Sequence, residues 1–480
     1  MNSRSVLAVD LGATIGKVVI VSITKEKINF SYLMRFPTGG TTLPIFDGSY
    51  KVWNIVKFYE TVCEIIKHIP IESVGIDSWG VDFALLDKKG RLLTLPQHYR
   101  NAQSHGALKK ALEIIGEEFL YKETGVKPMH INSLFRLYQM VLEKDEIFCY
   151  ASKFVMIPDL FHFWLSGTLF CERTIASTSQ CYSVPSRTWA YKVLQALRIP
   201  LDLFPDLIGP GTHVGNFKWD PEVKVVVPAS HDTSSAIAAI PFDEPAIFIS
   251  CGTWAIIGVE RSEPVLCQDA LQYGFTNEAG ANGILFIKNA TGMWILDECN
   301  RILKLDYDTL FSLASRGERF FGFINPDDPI FFSESQMIEK INSYLSTTGQ
   351  QRITDEKTLI RLILENLAFN YRFIIENLER VIGWRSNKIY IIGGGAKNAF
   401  LNESIANALQ RPVVACPWDG AAIGNALIQL INLGEISDIK EGRQMVGQSL
   451  PMKIYYPNVE ELIPWGEAYE RWKKVTHGSF

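Results

Sequence analysis

The chain has 480 residues, 47% of them hydrophobic and 12% aromatic, with a formal net charge of −5. That length exceeds the roughly 250–300 residues over which one hydrophobic core usually grows, so two domains are expected. The acidic balance and the lack of a Lys/Arg run exclude a general nucleic-acid binder, which would show a basic stripe. No apolar run reaches the ~20 residues of a membrane span.

The N-terminus enters a strand pattern within a few residues, without a basic segment followed by an apolar one. No signal peptide is therefore expected, and the location reads as cytoplasmic. Cysteines stand at 63, 149, 171, 181, 251, 267, 299 and 416 with no Cys-x-x-Cys pair. This argues against zinc and fits small, mostly buried residues in a reducing compartment.

Val6 to Ile20 places two runs rich in β-branched residues around a turn carrying Asp10, Gly12, Ala13, Thr14 and Gly16. The pattern is a tight hairpin whose turn exposes backbone N–H groups. Gly12 and Gly16 permit positive φ and close approach of a ligand, Thr14 offers a hydroxyl, Lys17 a cation, and Asp10 a carboxylate suited to hydrated Mg²⁺. A phosphate cradle and an ordinary glycine-containing hairpin both fit this stretch taken alone.

Lys27 to Arg35 reads as a further strand, and 54–69 has helical spacing through Val56, Phe58, Val62, Ile65 and Ile66. Ser73 to Asp87 reads as two short strands about a kink at Trp79-Gly80, which makes an α/β layer with mixed pairing. From about 100 to 228 the chain is more helical, with aromatic-dense helices over 134–142 and 158–165.

A second α/β layer opens at Val225-Val226-Val227, followed by Pro228-Ala229-Ser230-His231-Asp232-Thr233 and a small-residue helix to Ala239. Strands over 246–250 and 255–260 flank Ser250-Cys251-Gly252-Thr253-Trp254, which repeats the opening device and suggests an internal duplication. An amphipathic helix over 358–381 stops at Gly383. The strand 388–392, the turn Gly393-Gly394-Gly395-Ala396-Lys397-Asn398 and a helix over 399–409 then make an anion or nucleotide site, because the helix N-terminus favours negative charge. Glycines kept for close packing are the competing reading. A strand over 412–415, the turn Pro417-Trp418-Asp419-Gly420 and a helix over 421–433 complete the pattern.

Asp10-Leu11-Gly12-Ala13-Thr14, Ser250-Cys251-Gly252-Thr253 and Ile392-Gly393-Gly394-Gly395-Ala396-Lys397-Asn398 resemble the first phosphate loop, second phosphate loop and adenosine loop of sugar kinases with an actin-like or Hsp70-like ATPase (ribonuclease H-like) fold. Trp79-Gly80-Val81-Asp82-Phe83, Ser230-His231-Asp232-Thr233, Lys288-Asn289-Ala290-Thr291-Gly292 and Ala422-Ile423-Gly424-Asn425 narrow the likeness. Over nearly its whole length the chain is similar to the FGGY carbohydrate kinases, and most closely to their rhamnulokinase branch.

The resemblance implies an α/β protein of two such domains around an interdomain cleft. Residues 1–235 would carry the first phosphate loop and sugar site, and 236–480 the second phosphate loop and adenosine loop. It implies ATP and Mg²⁺ as cofactors, a small-molecule sugar as partner, and no nucleic acid or membrane; the oligomeric state stays open. The implied reaction transfers the γ-phosphoryl group to a ketose hydroxyl, with L-rhamnulose giving L-rhamnulose 1-phosphate.

Asp232 takes the position of the catalytic base, and an Asp that only caps the following helix is its other reading. Gly80, Asp82, His231, Thr233 and Asn289 take sugar-contact positions, with Asp77 added. Ala13, Thr14, Ile15, Gly16, Lys17, Thr253, Asp297, Gly394 and Gly395 take nucleotide positions, and Asp10 would organise Mg²⁺ through water.

Rhamnulokinases usually read Ala-Ser-Ser-Gly-Arg in the first loop, where this chain has Ala13-Thr14-Ile15-Gly16-Lys17. Asn101 and Gln103 stand where they tend to carry Asp and Arg, and Arg136 and Asp297 where Gln is common. These exchanges keep L-fuculose or a pentulose as alternative substrates. A non-catalytic ATP- or sugar-binding switch is the alternative of another class, which the Asp232 carboxylate argues against. A phosphatase of the same superfamily has no role for the Ser-His-Asp-Thr and Trp-Gly-Val-Asp-Phe segments.

Overall fold

A computed structural model of the protein describes residues 4–24, 27–46, 48–101, 104–416 and 418–478. Gln103 and Pro417 lie outside the described residues. The chain divides into two compact units: Met1–Pro241, Glu260–Phe286 and Asp419–Leu450 form the first, and Phe242–Val259, Ile287–Trp418 and Pro451–Phe480 the second. The first crossing falls just past the expected boundary at 235/236. The return of two later segments to the first unit has no local signature, because packing decides it.

The first unit is built on β1 (Ser5–Leu11), β2 (Ile15–Thr24), β3 (Lys27–Pro37), β4 (Ser73–Ser78), β5 (His213–Phe217) and β6 (Asp220–Val226), in spatial order β5-β6-β4-β1-β2-β3. β1, β2 and β3 are an antiparallel meander, β4 pairs in parallel with β1 and β6, and β5 closes the edge antiparallel.

Alternation along β1 and β4 decides what the two faces of the sheet do. Leu7, Val9, Leu11, Val74 and Ile76 enter a core shared with the helices Ile55–His68 and Ile157–Ser166. The intervening Gly75 faces the helix Gly420–Asn432: a Cβ there would lie 2.9 Å from both Asn425 Oδ1 and Gln429 Nε2. Asp10 and Asp77 are partners in the parallel register of β1 and β4. Two carboxylates thus stand near the carboxyl ends of neighbouring strands, the usual ligand edge of such sheets. A separate core gathers Leu134, Phe135, Tyr138, Phe154 and Trp189, so the aromatic-dense helices are indeed core elements.

The second unit carries β7 (Ile247–Cys251), β8 (Trp254–Arg261), β9 (Ile389–Ile392), β10 (Val413–Cys416) and β11 (Lys453–Tyr455), neighbours in the order β8-β7-β9-β10-β11. Their pairings run antiparallel, parallel, parallel, antiparallel. β2-β1-β4-β6-β5 pair in the same succession of senses, although β5 precedes its neighbour in the chain where β11 follows its own, so the two sheets share a pairing pattern but not the full chain order.

The helix Glu356–Ile382 starts where Asp355 Oδ1 accepts the Thr358 N–H at 3.0 Å and stops at Gly383, with φ 78°. The helix Leu462–His477, which sequence reading missed, packs Trp465, Tyr469 and Trp472 against Phe369. Pro464 in its first turn and dispersed charges mask its apolar face. All eight cysteines are free and six are buried. No helix among the described residues is long and apolar enough to cross a membrane.

Candidate active site

The β1–β2 hairpin sets Asp10 opposite Lys17. Lys17 Nζ donates to Asp10 Oδ2 at 2.9 Å and to Asp419 Oδ1 at 2.7 Å, while the Tyr32 hydroxyl donates to Asp419 Oδ2 at 3.0 Å. Burial works against the Lys17 charge, but the two carboxylates outweigh it and hold the ammonium above its usual range. Burial pushes Asp10 up to about 6, with Lys17 pulling the other way and Asp419 and Asp232 adding to the rise.

Asp77 is raised well above the carboxylate range by burial and by Asp10, although Asn425 Nδ2 donates to its Oδ2 at 2.6 Å. Its Oδ1 is buried without a hydrogen-bond partner. Asp419 was not anticipated, and Asn425 stood in a motif that carried the likeness but no role. Asp419 reads only as part of a turn, and its partner Lys17 is 402 positions away.

The turn itself is held by packing. A Cβ on Gly12 would lie 2.8 Å from the Ile15 carbonyl oxygen, and one on Gly16 would lie 2.6 Å from the Phe36 ring. Thr38 donates its hydroxyl to the Gly12 carbonyl and its N–H to the Thr14 carbonyl at 3.1 Å. Thr14 and Ile15 are exposed at the tip and Ala13 is half-buried.

Among the described residues no group of three or more His, Cys, Asp or Glu side chains is placed to hold a metal by itself. Asp10 and Asp419, already converging on one ammonium, are hard oxygen donors. They fit a Mg²⁺ that keeps water and phosphate oxygens as its other ligands.

The segment leading to Asp232 is fixed from both sides. The Ser78 N–H donates to the Ser230 carbonyl at 2.9 Å. The fully buried Glu172 carboxylate accepts the Ser230 N–H at 3.1 Å and the Thr174 hydroxyl, whose oxygen accepts the His231 N–H at 3.1 Å. Asp232 is the first residue of the helix Asp232–Ala238, with His231 at the N-cap position. Its side chain keeps 28% exposure and accepts the Thr233 hydroxyl at 3.2 Å.

His231 bridges two carboxylates, with Nδ1 3.1 Å from Glu278 Oε2 and Nε2 3.5 Å from Asp232 Oδ1. Burial disfavours the imidazolium, yet Glu278 and then Asp232 raise the His231 pKa above its ordinary value. Burial also raises Asp232, and His231 opposes that rise. Glu278 and Glu172 carry no motif of their own, so local pattern reading passed over both.

Around Gly80 the chain is crowded: a Cβ there would lie 2.9 Å from Thr178 Cβ. Asp82, expected as a sugar contact, has no exposed surface. Its Oδ2 accepts the indole N–H groups of Trp53 at 2.6 Å and Trp79 at 2.9 Å, and its Oδ1 meets Arg136 at 2.7 Å. Asn101 exchanges hydrogen bonds of 3.0 and 2.9 Å with the Lys51 backbone.

The second unit, taken by itself, brings its two glycine turns together. A Cβ on Gly393 (φ 92°) would lie 2.7 Å from the Cys251 carbonyl oxygen, and one on Gly395 would lie 2.4 Å from Cys251 Sγ. The Gly393–Gly395 turn thus sits against the end of β7, next to Gly252 and the half-buried Thr253. Gly394 is exposed, and Asn398 caps the next helix by accepting the Leu401 N–H at 3.0 Å. Asp297 accepts the Tyr307 hydroxyl at 3.1 Å, and Asn289 is exposed on the strand Gly283–Thr291.

Profiles of the FGGY family of carbohydrate kinases match this chain, the N-terminal domain over residues 5–238 and the C-terminal domain over 247–433. The chain is 34% identical to a rhamnulokinase of Bacteroides thetaiotaomicron, covering 98% of this chain and 99% of that protein. It is also 34% identical to one of Halalkalibacterium halodurans, covering 94% and 98%. Its fold resembles that of a ligand-bound xylulose kinase from Lactobacillus acidophilus, with a TM-score of 0.80 at 18% identity over 98% of this chain and 97% of that one.

Proposed function

The chain belongs to the FGGY family of carbohydrate kinases, and we propose that it transfers the γ-phosphoryl group of ATP to a hydroxyl of L-rhamnulose, giving L-rhamnulose 1-phosphate and ADP. Relatives named rhamnulokinase that run the length of the chain support this substrate. The observation that carries the chemistry is the row Glu278, His231, Asp232: a partly exposed carboxylate opens a helix beside an imidazole kept toward its charged form.

In this reading Asp232 accepts the proton of the attacking hydroxyl as that oxygen bonds to the γ-phosphorus. The bond from this phosphorus to the β,γ-bridging oxygen breaks, and ADP leaves with the electron pair. His231 favours the ionised form of Asp232 against its burial. Lys17 offers a cation to the phosphates. Asp10 and Asp419 are assigned to Mg²⁺, which when bound neutralises charge on the phosphoryl oxygens.

Ala13 to Lys17, Thr253, Asp297, Gly394 and Gly395 are assigned to the nucleotide, and Gly80, His231, Thr233 and Asn289 to the sugar. Asp82, with both oxygens engaged, is assigned to holding the turn rather than to touching the sugar. The reaction belongs in the cytoplasm, where ATP is supplied.

The test is ADP release from the purified protein across L-rhamnulose, L-fuculose, L-ribulose and xylulose. Highest kcat/KM with L-rhamnulose is expected. A different preferred ketose would replace the substrate, and turnover of none would favour a binding switch.

A further inference from the structure

Val81 is a β-branched residue at φ 64°, a left-handed backbone conformation that persists only where the surroundings over-determine it. Here they do. Its N–H donates to Thr178 Oγ1 at 2.9 Å, and its carbonyl accepts both the Ser133 hydroxyl at 2.6 Å and an Arg136 terminal N–H at 2.6 Å.

The other terminal nitrogen of Arg136 spans Asp82 Oδ1 at 2.7 Å and the Gln97 carbonyl at 3.1 Å, and the guanidinium lies 4.8 Å from the centroid of the Phe83 ring. Asp82 in turn fixes two indoles, and Trp53 stacks on Trp79 at 3.9 Å and on His98 at 4.2 Å. One guanidinium therefore ties together a strained residue, a buried carboxylate and the chain at Gln97.

We propose that Arg136 is a positioning residue that sets sugar preference: it holds the Gly80-Val81 turn in its strained form, so that the backbone at Gly80 meets the ketose at one fixed place. This rests on the assignment of Gly80 to the sugar. A neutral side chain at 136 leaves Asp82 buried without its cation. An ammonium keeps the charge but loses the planar fork that serves Val81, Asp82 and Gln97 at once. Either change frees the turn to relax toward negative φ and displaces the Gly80 edge. Discrimination among ketoses that differ in one hydroxyl depends on where polar groups stand, so it weakens.

The experiment compares the unaltered enzyme with Arg136→Lys, Arg136→Gln and Ser133→Ala. The last removes one donor to Val81 and leaves the Asp82 ion pair. For each, kcat and KM are measured for ATP and for the four ketoses, together with the melting temperature. In Arg136→Lys the KM for the preferred ketose is expected to rise about tenfold and the kcat/KM ratio between ketoses to shrink, while the KM for ATP stays within about twofold. Ser133→Ala moves the same quantities the same way by about two- to threefold.

Unchanged ketose ratios overturn the proposal, as do parallel losses toward ATP and sugar with a lowered melting temperature. If Arg136→Gln does not fold, the other two variants decide. Failure of the unaltered enzyme to phosphorylate any ketose overturns the functional reading and this inference with it. Normal ketose turnover with variants that keep their preference overturns this inference alone.

Discussion

Glu278 Oε2 lies 3.1 Å from Nδ1 of His231, so the ring facing Asp232 is backed by a second carboxylate. The charged groups acting on His231 are Glu278, Asp232 and Glu172, all of which raise its pKa against burial. Glu278→Gln removes the largest of them, and His231 then loses its proton at lower pH. Burial lifts Asp232 and His231 opposes that lift, so Asp232 titrates higher once the imidazolium is gone. The acid limb of kcat against pH should move upward, with the larger loss of activity on the acid side. An unmoved limb would show that His231 does not tune the base.

Asp232→Asn keeps the shape of the side chain and removes its basicity. Turnover should fall by about 10²–10⁴-fold, the usual contribution of a general base, while ADP still binds by titration calorimetry. Near-normal turnover would take Asp232 out of its assigned role.

What the sequence discloses follows from how far apart the interacting residues lie. The helix read over 399–409 is Ala399–Leu409, because Gly393–Gly395 and the Asn398 cap are adjacent signals. The β1–β2 hairpin was legible for the same reason. Asp419 was not, since it gains meaning only from Lys17, 402 positions earlier. Glu278 joins His231 through a segment that returns to the first unit after the chain has entered the second. Asp82 shows the opposite limit. Its motif was conspicuous, but two indoles and a guanidinium consume its oxygens, and no local pattern reports that.

Gly395→Ala tests the second glycine turn. The new Cβ would lie 2.4 Å from Cys251 Sγ and 2.8 Å from Cys251 Cβ, and that thiol is buried 3.6 Å from the Tyr371 hydroxyl. The turn must therefore move away from β7. The KM for ATP should rise about tenfold, equivalent to about 1.4 kcal/mol, with the KM for sugar little changed. Equal effects on both substrates would argue against a nucleotide role for this turn.

Gly424→Ala probes the packing beneath the base. A Cβ at 424 would fall 1.8 Å from the Ser235 carbonyl oxygen and 2.6 Å from its carbon, backbone atoms that have no rotamer to escape into. The helices Gly420–Asn432 and Asp232–Ala238 must separate. The first of them also carries Asn425, which donates to Asp77, and directly follows Asp419. Overpacking of this kind costs about 1–3 kcal/mol, so the midpoint of urea unfolding should drop and kcat should fall with it. Gly106→Ala is the contrast: in the helix His105–Ile115 its Cβ meets nothing within 4 Å, and the better helix propensity should stabilise the protein by up to about 1 kcal/mol. If Gly424→Ala unfolds at the same urea concentration as the unaltered protein, the close contact between these two helices is not what holds the base-bearing helix in place.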